Sequence, residues 1–195
     1  MRIPLQALAA VFALTPMSAA TEQLVSQPQS KLWVEGTSTL KSFKCSVPDF
    51  TLKVSAEGSG AVAAVLAGQK AVRTVVLTVP AEKIECGNAT MNEHMRKALK
   101  VTESPTIRFT LDGYNVASAD SGVAGTLRGA LALGGSEKPI DVAATGRNAG
   151  DDALRVTGSA DVALSAFDLK APKLMFGRIK VGDKVRVKFD LTLKK

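Results

Sequence analysis

Near the C-terminus the run KVRVKFDLTL alternates without a break. Val185, Val187, Phe189, Leu191 and Leu193 are apolar, and Lys184, Arg186, Lys188, Asp190 and Thr192 stand between them. Such alternation puts every apolar side chain on one face of a pleated strand and leaves the other face to water. A helix cannot sort these residues that way, so this feature constrains the fold more than any other in the chain. The same period recurs in TIRFTLDGY, with Ile107, Phe109 and Leu111 on one face. It recurs again in ALRVTGSADVALSA, through Leu154, Val156, Val162 and Leu164, and in GTLRGALAL, through Leu127, Leu131 and Leu133. Further strands are expected over Lys31–Gly36, Thr39–Val47, Asp49–Glu57, Arg73–Val79 and Ile140–Arg147. The clusters DGYN, GGSEKP and NAGDD read as turns between them. Roughly eight or nine strands with short connections predict an all-β antiparallel meander. Such a sheet buries its apolar face by closing into a barrel or folding into a sandwich.

One segment departs from this period. In TMNEHMRKALK, Met91, Met95, Ala98 and Leu99 recur at helical spacing, and Thr90 with Glu93 fits a capping box. A short helix is expected over about residues 90–100, ending before Pro105. It carries His94, the only histidine of the chain, at the border of its apolar stripe. A nucleophilic triad needs a histidine beside Ser, Cys or Thr and a carboxylate to orient it. The chain has no G-x-S-x-G elbow, and His94 reads as a hydrogen-bonded clamp of the scaffold. The chain is expected not to be an enzyme. Gly134-Gly135 and Asp151-Asp152 read as turns, not as phosphate or acid–base sites.

The first 20 residues have the order of a cleaved export signal: Arg2, the apolar run Leu5–Leu14, Pro16, and the small residues Ser18-Ala19-Ala20. The run is too short to span a bilayer, and no later run is long enough. A mature chain from about Thr21, periplasmic or secreted, is expected, with residues 21–30 as a flexible lead-in and 31–195 as one domain. Roughly 175 residues suffice for one substantial core. The net charge of +7 is spread along the chain with few aromatics among the cations, so nucleic-acid binding is not expected. The two cysteines, Cys45 and Cys86, suit one disulfide in an oxidising compartment, with two buried thiols as the alternative. They do not make a zinc site with the lone histidine, and no metal is expected.

Several strands place small residues on the apolar face: Gly125 and Gly129, Ala144 and Gly146, Gly158 and Ala160. Glycine weakens a strand unless space is needed there. An eight-stranded barrel is just wide enough either to fill itself or to hold one slim ligand. The small residues favour a cavity with an aliphatic wall. The alternative is glycine serving twist or bulges beneath a filled core.

In order and spacing these landmarks resemble the YceI-like family of exported bacterial proteins. The resemblance rests on His94-Met95, Leu99 and Pro105-Thr106-Ile107-Arg108-Phe109, on Gly125-Thr126-Leu127 with Lys138-Pro139-Ile140, and on the opening WVEGTSTLKSFKC. It covers about Lys31 to Lys195. The chain departs from the family pattern before the last strand, where SAFDLKAPKLMFG replaces an Arg-Ser-Asp-aromatic-Gly run. The resemblance implies an antiparallel eight-stranded lipocalin-like barrel with the short helix packed against it. It also implies binding of a long apolar lipid, a polyisoprenoid or an isoprenoid quinone-like molecule, with no other cofactor. The residues expected to line the ligand are Phe109, Leu111, Leu127, Leu131, Val156 and Phe189. Gly129 and Gly158 are expected to provide room, and Met175 and Phe176 to lie near an entrance. A homodimer is compatible with this reading. The rival is an envelope stress or surface interaction module with a filled barrel and no ligand.

Overall fold

The alternating runs form strands in a computed structural model, which describes residues 21–150, 152–174 and 178–195. The expected export signal, Asp151, Met175 and Phe176 lie outside the described residues. In chain order the strands are β1 (Thr21–Ser26), β2 (Lys31–Ser38), β3 (Ser42–Ser46), β4 (Thr51–Glu57), β5 (Val72–Pro80) and β6 (Thr106–Ala119). They continue with β7 (Gly122–Leu133), β8 (Ser136–Asn148), β9 (Ala153–Ala163), the two-residue β10 (Lys173–Leu174) and β11 (Ile179–Lys194). The order β1-β4-β5-β6-β7-β8-β9-β11 closes on itself through β1–β11, giving an eight-stranded antiparallel barrel.

The residues expected to form a flexible lead-in instead build part of the wall. TEQLVS is β1, with Leu24 buried and Thr21 opposite Glu57. β1 and β2 follow one another along β11, with Ser26 opposite Leu193 and Lys31 opposite Asp190. Between them the Gln27 N–H donates to the Thr192 carbonyl, 2.8 Å away, so the ladder is only locally interrupted.

The expected DGYN turn is also corrected. Asp112–Asn115 lies inside β6, where a bulge shifts the register between Leu111 and Gly113. One extra residue reverses the alternation. Before the bulge Ile107, Phe109 and Leu111 face inward; after it Tyr114 and Val116 do. The one sequence element therefore carries two phases and imitates a strand followed by a loop.

A short helix not foreseen from the sequence, α1 (Ala61–Leu66), closes one end of the barrel. Its run AVAAVL is apolar throughout, so no stripe can be read from it. It buries Ala61, Val62 and Val65 against Leu24, Val54, Val123, Leu154 and Leu193. The Ala61 N–H donates to Glu22 Oε2 at 2.8 Å, which satisfies an orphan amide of its first turn. That bond is the main reason the Glu22 carboxyl is held below its ordinary pKa.

The expected second helix is α2 (Ala89–Ala98), at the other end. Its cap is Asn88, not Thr90: the Met91 N–H donates to Asn88 Oδ1 at 2.9 Å. Asparagine is among the strongest N-cap residues. Glu93 turns away from the cap to pair with Lys97 at 2.6 Å. The Cys45–Cys86 disulfide is formed and ties β3 to the segment leading into α2. Beside it the β-ladder has shrunk to one bridge, Ser46 with Glu85. Among the described residues no polar or charged side chain is fully buried.

On the outer face of β9, β11 and β2, charges pair across strands. Arg155 grips Asp190 with two bonds of 2.8 and 2.6 Å, Arg186 grips Asp161 with bonds of 2.6 and 2.9 Å, and Lys188 reaches Glu35 at 2.8 Å. Part of the basic excess is thereby matched within the sheet.

Candidate ligand cavity

The inward faces of the strands do not meet. They leave a cavity of about 400 Å³ running between the α1 end and the α2 end. The rival expectation of a filled barrel is not met by the described residues. At the α1 end the wall is made of buried side chains, Leu24, Val54, Val123, Leu154 and Leu193 among them. At the other end it includes Met91, His94 and Met95 of α2 and its C-cap Leu99, together with Phe43 and Val181, all only half-buried. No residue of α2 is fully buried. Helix α1 thus backs its end with buried side chains, whereas α2 contributes only half-buried ones beside the buried Cys45, Val79, Ile84 and Cys86.

The six wall residues expected from the sequence, Phe109, Leu111, Leu127, Leu131, Val156 and Phe189, all border this cavity. Gly129 and Gly158 do not, and this corrects the room they were expected to provide. Both face inward, but a ring lies over each. A Cβ built on Gly129 would overlap the Thr110 carbonyl oxygen and come within 2.6 Å of the Phe109 ring. One built on Gly158 would overlap the Ala143 carbonyl oxygen and the Phe189 ring. Gly158 is the direct cross-strand partner of Phe189. The absence of a side chain lets each ring lie flat on the neighbouring strand instead of standing out into the cavity. The glycines widen the barrel indirectly, by giving phenylalanine somewhere to lie.

Small residues also line up across neighbouring strands. Gly125, Ala144 and Gly158 are successive partners across β7, β8 and β9, in one row transverse to the strands. Gly125, Ala144 and Gly146 border the cavity. The row is visible only once register is known, because its members are far apart in sequence.

Several wall residues had no sequence signal pointing to the interior. Tyr114 and Val116 were hidden by the phase change at the bulge. Met91, Met95 and Leu99 were legible as an apolar stripe, but not as part of the cavity wall. His94 likewise borders the cavity from the helix edge.

The wall has little chemistry to offer. No Asp, Glu, Lys or Arg is among its described residues. Its two cysteines are joined in the disulfide, and its other sulfurs are the thioethers of Met91 and Met95. The Tyr114 hydroxyl accepts the Val72 N–H at 2.9 Å, and burial raises its pKa against the opposing pull of that bond. Asn115 Oδ1 accepts the Thr126 N–H at 2.7 Å. Apart from His94, Thr145 and the sulfurs, the side chains that remain are aliphatic or aromatic, with the backbone of Gly125 and Gly146 between them.

The model of the YceI-like domain matches residues 25–193. No curated protein matches the chain. Among solved structures, it is similar to Burkholderia cenocepacia BcnA, at 17% identity and a TM-score of 0.66, over 84% of this chain and 96% of that one. It is also similar to a polyisoprenoid binding domain from Saccharophagus degradans implicated in plant cell wall breakdown, at 12% identity and a TM-score of 0.58, over 91% and 99% of the two chains. A third is the YceI protein of Campylobacter jejuni, at 14% identity and a TM-score of 0.54, over 77% of this chain and 84% of that one. At these identities the likeness establishes the shared barrel. With the family model matched from β1 into β11, the chain belongs to the YceI-like domain family.

Proposed function

We propose that this protein is a non-enzymatic carrier that holds a long apolar lipid, a polyisoprenoid or an isoprenoid quinone-like molecule, inside the barrel. The observation that carries the reading is the charge-free wall around a cavity of about 400 Å³. Burying apolar surface there gains about 25 cal/mol for each Å² removed from water. A charge taken inside would find no partner and would cost several kcal/mol. The wall therefore selects a hydrocarbon chain, and a polar head remains at the α2 end, beside the half-buried His94. The polyisoprenoid binding domain from Saccharophagus degradans, which shares the fold, supports an isoprenoid over other chains. The wall residues proposed to contact it are Phe109, Leu111, Leu127, Leu131, Val156 and Phe189, with Gly129 and Gly158 acting through the rings above them.

His94 has no carboxylate on the cavity wall to orient it, which supports a non-catalytic role. Export is supported by the signal-like first residues and by a buried disulfide, which persists in an oxidising compartment. Among the described residues no helix is long and apolar enough to cross a membrane. The test is organic extraction of the purified protein followed by mass spectrometry. An isoprenoid in the extract, or taken up on addition, is the expected result. A clean extract with no uptake would overturn the reading.

A further inference from the structure

We propose that the α2 end of the barrel docks on an anionic lipid bilayer through Leu40 and the cations around it. Leu40 is 70% exposed and, with Val25, is one of two exposed large apolar side chains among the described residues. It sits at the tip of the β2–β3 turn, which is held firmly. Ser38 Oγ accepts the N–H groups of Leu40 and Lys41, at 3.3 and 3.1 Å, and the Ser38 N–H donates to the Lys41 carbonyl at 2.9 Å. The turn is also bonded to the start of β11: the Thr39 N–H donates to the Lys180 carbonyl at 3.0 Å, and the Lys180 N–H donates to Thr39 Oγ1 at 3.2 Å. A leucine fixed in water at a hairpin tip has no role in the core.

The groups around it are positive. Lys41, Lys173, Arg178 and Lys180 are all exposed, and none is ion-paired among the described residues. Lys173 and Lys180 are direct cross-strand partners, an arrangement that disfavours folding unless an anion covers it. Asp183 and Asp168, in the adjoining segments, keep their charge but form no ion pair with these cations among the described residues. Asp183 accepts the Ser165 N–H and hydroxyl at 2.8 and 2.7 Å, and Asp168 accepts the Ser136 hydroxyl at 3.2 Å. The contrast with the outer sheet face, where cations are matched by acids, is marked.

The patch also adjoins the cavity. Val181, next to Lys180, borders it and lies opposite Ser38, two residues before Leu40; Pro172, next to Lys173, borders it too. A bilayer fits this surface better than an acidic protein does. An isolated apolar tip enters the boundary between headgroups and acyl chains, while lysine stems lie along it with their charges at the headgroups. A lipid leaving such a surface would meet the end of the cavity bordered by Val181, Pro172 and the half-buried side chains of α2.

The test is co-sedimentation with vesicles of phosphatidylcholine alone and of phosphatidylcholine mixed with phosphatidylglycerol, at low and high salt. The protein is used both as purified and with its lipid extracted, so docking is scored whether or not the cavity carries an isoprenoid. Binding is expected only to the anionic vesicles and is expected to weaken with salt. Lys41→Gln with Lys180→Gln should weaken it roughly tenfold or more, and Leu40→Asp should do the same. Lys70→Gln with Lys194→Gln, at the α1 end, should leave it unchanged, and circular dichroism confirms that each variant is folded. Equal binding to both vesicle types, no binding, or equal losses from substitutions at the two ends would each overturn the proposal.

Discussion

Ala144 and Gly158 are neighbours across β8 and β9, yet leucine should have opposite effects at the two positions. Ala144 borders the cavity, so the longer side chain of Ala144→Leu points into open space. It adds about three carbon groups, worth roughly 0.8 kcal/mol each when buried, for an upper bound near 2 kcal/mol. Cavity-filling substitutions usually realise about 0.5–2 kcal/mol of that. At roughly 2–4 °C per kcal/mol for a chain of this size, the thermal midpoint should rise by roughly 1–8 °C.

Gly158→Leu meets the Phe189 ring and the Ala143 carbonyl instead. Overpacking of this kind typically costs about 1–3 kcal/mol, and here the backbone oxygen cannot step aside as a side chain would. The midpoint should fall, and Phe189 should be pushed into the cavity. Both variants should lose lipid uptake, one while gaining stability and the other while losing it. Chemical denaturation, paired with lipid extraction and mass spectrometry, reads both quantities. If Ala144→Leu destabilised the protein as much as Gly158→Leu, the space in front of Ala144 would not be empty, and the reasoning from register to cavity would fail.

Two further outcomes are expected. Cys45 and Cys86 are separated by 41 residues, for which loop-closure entropy predicts roughly 4 kcal/mol of stabilisation; the double variant Cys45→Ala, Cys86→Ala should lower the thermal midpoint by roughly 8–16 °C, and a loss under about 1 kcal/mol would show that the loop is already held without the bridge. Asp161, Asp190 and Asp183 are held below the ordinary carboxylate range by bonds from Arg186, Arg155 and Ser165 respectively, so their contribution to stability is present above about pH 4 and is lost as pH falls through the lowered values. Asp161 and Asp183 are exposed and Asp190 is half-buried, so thermal midpoints should fall with acidification at low salt and less steeply at high salt; midpoints that rose on acidification would contradict the assignment.

Alternation alone was enough to establish an all-β chain, because period two is a local property of a strand and each residue declares its face beside its neighbours. The six aliphatic and aromatic wall residues were legible for the same reason. The helix α2 was legible too, although its cap moved to Asn88, since several nearby polar residues could serve and only the folded turn selects one. Local reading failed where phase or uniformity hid the signal. The bulge in β6 made one strand look like a strand and a turn, and the wholly apolar α1 showed no periodicity.

What the tertiary structure decided was the hollow. Whether a glycine opens space or supports a ring depends on which residue lies opposite, and that partner comes from another strand. Gly158 beneath Phe189 and Ala144 facing the cavity look alike in sequence and differ only through register. The chain by itself determined that an oily face must be buried. Closure of the barrel, with Gly125, Ala144 and Gly146 brought to its inner face, determined that the burial would be incomplete and leave a cavity.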